Sequence, residues 1–202
     1  QIVLALFSSC SNNKKGKDGR TDTYSSGTIS FVSDESFSPV IEEECAVFQY
    51  DYPQAKLKPI YTSESDAINK LLEGKTWLAF TARNFKTNEI QSLKAKNYRP
   101  VAIDIAYDAL AFIVNRDNKD TLISIKDIQN IMMGKTIKWK QLNKGENKGE
   151  ITVVFDNPKS STVHYIEDST LGGKPIINKN VVAVNKTSEV IKYVEKNPDA
   201  IG

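Results

Sequence analysis

Thr28-Ile29-Ser30-Phe31-Val32-Ser33-Asp34-Glu35-Ser36-Phe37-Ser38-Pro39 is the stretch whose parsing decides the fold. Residues 28–32 alternate β-branched and aromatic with hydroxyl side chains, which suits a strand. Pro39 fits the first turn of a helix, and Val40, Ile41, Cys45 and Phe48 then recur at helical spacing on one face. Strand, short hydroxyl-rich turn, helix is therefore the local grammar. The same order returns twice, at 57–65 and at 150–162. Strands alternating with amphipathic helices specify an α/β sheet rather than a bundle or a sandwich.

Working outward, residues 57–62 form a second expected strand. Ser63 or Ser65 caps a helix whose Ala67, Ile68, Leu71 and Leu72 make an apolar stripe, closed by Gly74. Residues 76–82 (TWLAFTA) read as a third strand, apolar enough to be buried on both faces. Two further strand-like runs, 101–107 and 109–115, carry the chain toward a second lobe. Beyond them come a helix over 125–133 closed by Gly134, a turn with a packed Trp139, a strand at 150–155 and a helix at 160–171. A strand at 181–184 and a helix at 188–196 complete the order. The expected division is two α/β lobes, residues 28–105 and 108–202.

At 202 residues the chain has room for one large or two small domains. Its 27 basic and 25 acidic side chains leave a net charge of +2, with no arginine-rich block, so nothing points to nucleic acid. Two cysteines and one histidine fall short of a structural zinc site, and no metal or cofactor is expected. Gln1-Ile2-Val3-Leu4-Ala5-Leu6-Phe7-Ser8-Ser9-Cys10 reads as the remnant of a secretory leader, too short for a membrane helix. Its end resembles a bacterial lipobox, which makes Cys10 the site of lipid attachment; the other reading is a buried N-terminal strand. Residues 11–27 are too polar to repay ordering and read as a flexible tether. Residues 198–202 break off as an apolar segment begins, so a C-terminal return segment is expected to be missing.

The three hydroxyl-rich turns are where chemistry could reside. A helix start leaves its first N–H groups unpaired at the positive end of the helix dipole and so attracts anions. Ser and Thr there serve equally as ordinary N-caps. Convergence of the turns would favour a site, and a single sequence does not show convergence. Ser160, Asp156 and His164 together suggest a hydrolase. No Gly-x-Ser-x-Gly elbow accompanies them, however, and a lone His is more commonly a surface or packing residue. Cys45 reads as core.

The run from Asp108 to Thr162 resembles the phosphate-binding components of bacterial ABC phosphate importers, which are type II periplasmic binding proteins. The resemblance rests on Ala109-Leu110-Ala111-Phe112-Ile113-Val114-Asn115, on Gly134-Lys135-Thr136-Ile137-Lys138-Trp139 after Ile125, Ile128 and Ile131, and on Ile151-Thr152-Val153-Val154 leading to Ser160-Ser161-Thr162. It covers about residues 28–202. It implies a two-lobed α/β fold closing on inorganic phosphate, an ABC permease as partner, and a lipid-anchored place on the periplasmic side of a bacterial envelope. It implies a binder and no enzyme. Carried across, it makes Ser36, Phe37, Ser63, Ser160, Ser161 and Thr162 ligand-binding residues. Two departures stand out: Ala82-Arg83 where the family often has Asp, and Phe155-Asp156 where it often has Arg. An Arg83/Asp156 pair can still supply one cation for the anion and one acceptor for its proton, excluding sulfate. Two alternatives remain at this stage: another oxyanion or small phosphorylated solute as ligand, or a surface or signalling lipoprotein using the same fold.

Overall fold

A computed structural model describes residues 22–142 and 149–202. The leader remnant with Cys10, and the tether as far as residue 21, lie outside the described residues. Within them the chain builds two three-stranded parallel sheets.

In the first sheet, β1 (Ser26–Asp34) leads through a single 3-10 turn (Glu35–Phe37) into α1 (Ser38–Asp51). Next come β2 (Gln54–Thr62), α2 (Glu64–Leu72), the short β3 (Ala79–Phe80) and α3 (Thr87–Ala95). Parallel neighbours need crossovers, and α1 and α2 supply them. The strand order is β2-β1-β3, so β1 is central. Phe31, Ile41 and Cys45 are buried between sheet and helix, with Phe31 and Phe80 meeting edge to face at 5.4 Å. Ser63 caps α2 by accepting from the Asp66 N–H at 3.2 Å, and Gly74 follows the helix with φ +75°.

The second sheet follows α4 (Ile125–Met132), whose start is a capping box between Ser124 and Asp127. Then come β4 (Thr152–Phe155), α5 (Ser161–Tyr165) continuing as a π-helical turn (Ile166–Thr170), β5 (Val181–Ala183), α6 (Thr187–Lys196) and β6 (Ala200–Ile201). The order β5-β4-β6 again places the first strand in the centre. Ile128, Ile131, Met132, Trp139, Ile151, Val153 and Ile166 form the core here. Trp139 is fully buried and donates its indole N–H to the Asp199 carbonyl at 3.0 Å, so the packing role expected of it is its role.

Several sequence expectations need correction. The tether does not extend to residue 27, because β1 begins at Ser26 and Thr23 bridges back to Ser26. The third strand shrinks to two residues, leaving Trp77 80% exposed; among the described residues it pairs with Val32 and Ser33 of β1 at the edge of the sheet. Runs 101–107 and 109–115 form no regular strand. Val101, Ile103, Ile105 and Tyr107 are exposed, and the second run packs Leu110, Phe112, Ile113 and Val114 on the second core while its backbone joins that sheet through the bridge of Val114 to Ile201. Strand propensity is realised only where a neighbour offers a ladder, and these runs lack one. The helix expected over 160–171 changes to π-type winding after Tyr165. Helix α3, unsuspected from the sequence, starts where Glu89 accepts the Lys86 N–H at 2.7 Å.

Candidate functional site

In an open parallel sheet, ligands bind beyond the carboxyl ends of the strands, where the order of connection reverses. The chain leaves β1 for β2 on one side and returns to β3 on the other, so the reversal lies at the end of β1. By the same reasoning the second reversal lies at the end of β4. A buried aspartate marks each of these ends, Asp34 as the last residue of β1 and Asp156 as the residue after β4. Asp34 is 1% exposed; its Oδ1 accepts the Ser36 N–H at 3.1 Å, and its Oδ2 has no hydrogen-bond partner among the described residues. Asp156 is 3% exposed and accepts the Asn157 N–H at 2.8 Å.

The three hydroxyl-rich turns meet. Ser36 Oγ lies 3.4 Å from Ser161 Oγ, joining the first turn to the third. The second turn reaches the third through α2 and α5: His164 Nδ1 is 2.8 Å from Glu64 Oε2, His164 Nε2 is 3.4 Å from Ser65 Oγ, and Lys159 Nζ is 3.7 Å from Asp66 Oδ1. Thr187 adds a contact at 3.4 Å to Glu35. The sequence could not show this convergence, and it turns three ordinary caps into one locus.

Not every expected residue is equally available there. Ser63 donates to Asp66 Oδ2 at 2.9 Å while capping α2, and Ser160 accepts the Val163 N–H at 3.3 Å while capping α5. Ser161 and Thr162 occupy the first turn of α5, half-buried, and Phe37 packs against the first core. Arg83 is held elsewhere: it grips Glu89 with two N–H···O bonds of 2.9 and 2.8 Å, with Glu64 3.9 Å from its Nε. That fork raises the Arg83 pKa and holds the Glu89 carboxyl below its usual range, chiefly through the hydrogen bonds themselves. The lone His164, expected as a surface or packing residue, instead links α5 to α2.

Sequence reasoning passed over Asp34 and Glu64. A signal for Asp34 existed: in both halves an apolar strand runs into aspartate just before a hydroxyl turn, as Val32-Ser33-Asp34 and Val154-Phe155-Asp156. Glu64 is 1% exposed, with Oε1 accepting the Ala82 and Arg83 N–H groups at 2.9 and 3.1 Å. None of the candidate serines lines the open groove of about 910 Å³ beside Tyr98 and Arg99 or the recess of about 220 Å³ beside Pro158 and Ile176. Chemically, the meeting point offers hydroxyls and turn N–H groups as donors, and buried carboxylates as acceptors. Such a set suits an oxyanion that still carries a proton better than one that is fully ionised.

Residues 18–202 match the model of the PBP superfamily domain. The chain belongs to that family. Within the PBP superfamily it is 23% identical over 199 residues to the phosphate-binding protein PstS of Staphylococcus epidermidis, covering 98% of this chain and 59% of that protein. It is 24% identical over 202 residues to PstS of Staphylococcus aureus, at 98% and 59% coverage. The chain thus spans about 59% of the length of these relatives. Among solved structures, a candidate phosphate ABC transporter substrate-binding protein with bound phosphate from Clostridium perfringens aligns at a TM-score of 0.73. It is 25% identical, over 87% of this chain and 69% of that one. An ABC-type phosphate transport receptor from Vibrio cholerae aligns at a TM-score of 0.64 and 21% identity, over 87% and 70%, and shares the fold. The architecture is that of a type II periplasmic binding protein.

Proposed function

We propose that the chain is the ligand-binding part of an extracytoplasmic solute-binding protein that captures inorganic phosphate between two lobes, residues 28–105 and 108–202. It delivers the phosphate to an ABC permease. On this reading Cys10 carries a lipid anchor and the residues between it and β1 act as the tether. The protein binds and releases; it catalyses nothing. The observation that carries the reading is the convergence of three turns, two at the carboxyl ends of the central strands β1 and β4 and one at the end of β2, with the Ser36–Ser161 contact joining the first to the third. The names of its relatives agree with it.

Ser36, Ser161 and Thr162 donate hydroxyls to the anion, with the turn N–H groups around Phe37 and Thr162 beside them. Ser63 and Ser160 shape the turns by capping α2 and α5. Arg83, committed to Glu89 and standing beside Glu64, supports the start of α2 rather than gripping the anion. The acceptor for the ligand's proton is Asp34 Oδ2, buried and unpartnered among the described residues, with Asp156 as the second carboxylate at the locus. Sulfate brings no proton and would face a buried carboxylate oxygen with nothing to give it. An unsatisfied buried group costs about 1–3 kcal/mol, more when charged, so the preference for phosphate should be about 100-fold.

Titration calorimetry on the full-length protein tests this. Phosphate should bind, and sulfate should bind about 100-fold more weakly. Equal affinities would remove the proton-acceptor argument. Tighter binding of a phosphate monoester than of phosphate would replace the ligand.

A further inference from the structure

Of the contacts between the two sheets' turns, one differs in kind from the rest. Ser36–Ser161 is a neutral contact at 3.4 Å, Thr187–Glu35 is exposed at 3.4 Å, and Lys159–Asp66 is open to solvent and screened. Glu64–His164 is short and joins residues 100 apart in the chain. The Glu64 side chain is 1% exposed and that of His164 27% exposed. Glu64 is also fixed in advance. Its Oε1 accepts two backbone N–H groups, from Ala82 and Arg83, and Arg83 Nε stands 3.9 Å from its Oε2. The remaining lone pairs of Oε2 therefore form a rigid acceptor at the start of α2.

A carboxylate only accepts, so His164 Nδ1 carries the proton in this bond. In the neutral ring Nε2 is then the acceptor and Ser65 Oγ, 3.4 Å away, donates to it; in the protonated ring Nε2–H donates to Ser65 Oγ instead. Two successive residues of α2 thus fix the tautomer and the plane of one imidazole from α5. Nothing in this arrangement requires a ligand.

We propose that Glu64 and His164 form a latch between the two lobes, with Ser65 setting the imidazole tautomer, and that it holds the lobes together whether or not the site is filled. Resting further on the phosphate-binding reading above, the latch sets how fast a captured anion escapes, because an anion enclosed at the meeting point leaves only when the turns part. His164 is then a positioning residue that touches no ligand.

Small-angle X-ray scattering on the full-length protein without ligand, paired with stopped-flow release of phosphate, tests the proposal. His164→Ala should enlarge the radius of gyration of the ligand-free protein, speed phosphate release about tenfold and speed association as well, since the anion enters by the same parting of the turns. Glu64→Gln, which keeps an acceptor for Ala82 and Arg83 but meets the imidazole with an amide N–H, obliges the ring to take its other tautomer and should give values between those of wild type and His164→Ala. His164→Asn, whose amide can donate from near the position of Nδ1–H, should restore wild-type values. If His164→Ala lowers the melting temperature while leaving both the radius of gyration and the release rate unchanged, the residue merely packs and the latch is refuted. If the full-length protein ignores phosphate, the scattering comparison still decides the latch, so the two readings fail separately.

Discussion

Ser36 and Ser161 stand 125 residues apart in the chain, yet their hydroxyl oxygens lie 3.4 Å apart. Each follows a central strand with a buried aspartate at its end, and each lies in the first turn of a helical segment. Two topologically equivalent strand ends have been brought face to face, and each offers its partner the same kind of donor. A tetrahedral oxyanion lying beside the pair can accept from both.

Replacing either hydroxyl should weaken phosphate binding by a moderate factor. A neutral hydrogen bond contributes about 0.5–1.5 kcal/mol, so Ser36→Ala and Ser161→Ala should each raise Kd about 3–10-fold. Because the two hydroxyls serve one ligand, the double variant should lose less than the product of the single effects. Calorimetric titration of the four proteins reads both numbers. An unaltered Kd in both single variants would place the ligand elsewhere.

Asp34→Asn should alter selectivity more than affinity. Asparagine keeps an acceptor for the Ser36 N–H and can set an N–H group where the unpartnered Oδ2 now lies. Sulfate binding should therefore improve, narrowing the preference for phosphate by about tenfold or more. Competition between phosphate and sulfate in a single titration measures the ratio directly. A ratio equal to that of the wild type would show that Asp34 is not the acceptor.

The sequence announced the class of the fold because strand, hydroxyl turn and helix follow one another closely, and that order is a local property. Trp139 and Cys45 were legible as core for the same reason: they sit on short apolar patterns. What escaped was non-local. Residues 101–107 carry strong strand propensity, yet they pair with nothing and stay exposed. His164 looked like a lone histidine because its partner Glu64 is 100 residues away. Arg83 looked available because Glu89, which occupies it, sits in a helix whose N-cap is Lys86 rather than a Ser, Thr, Asp or Asn. The serines were recognisable as caps, whereas their convergence depends on how the two sheets face each other.

Arg83→Ala should act first on stability. The guanidinium makes two charge-assisted bonds to Glu89 and stands beside buried Glu64, so its removal leaves two carboxylates short of a partner. Hydrogen bonds to charged groups contribute about 1.5–3 kcal/mol, and partial exposure puts the expected loss near the lower figure. Urea denaturation without ligand measures it. Phosphate affinity should fall less than in the Ser36→Ala variant, since the arginine is already engaged; a larger fall would mean that it leaves Glu89 to bind the anion.

The same pair fixes the direction of a pH effect. Hydrogen bonding to Arg83 lowers the Glu89 pKa in the folded protein relative to the unfolded chain. A carboxyl with a depressed folded pKa binds more protons when unfolded, so stability should be fully present above its unfolded value, about 4.3, and decline as pH falls through the folded value. Glu89→Gln removes the titrating group. The stability difference between wild type and Glu89→Gln should therefore be constant near neutrality and shrink steadily below about pH 4.3. Urea midpoints from pH 7 down to acid unfolding read this difference, and a gap that stayed constant in acid would show that the Arg83–Glu89 fork contributes nothing through its charge.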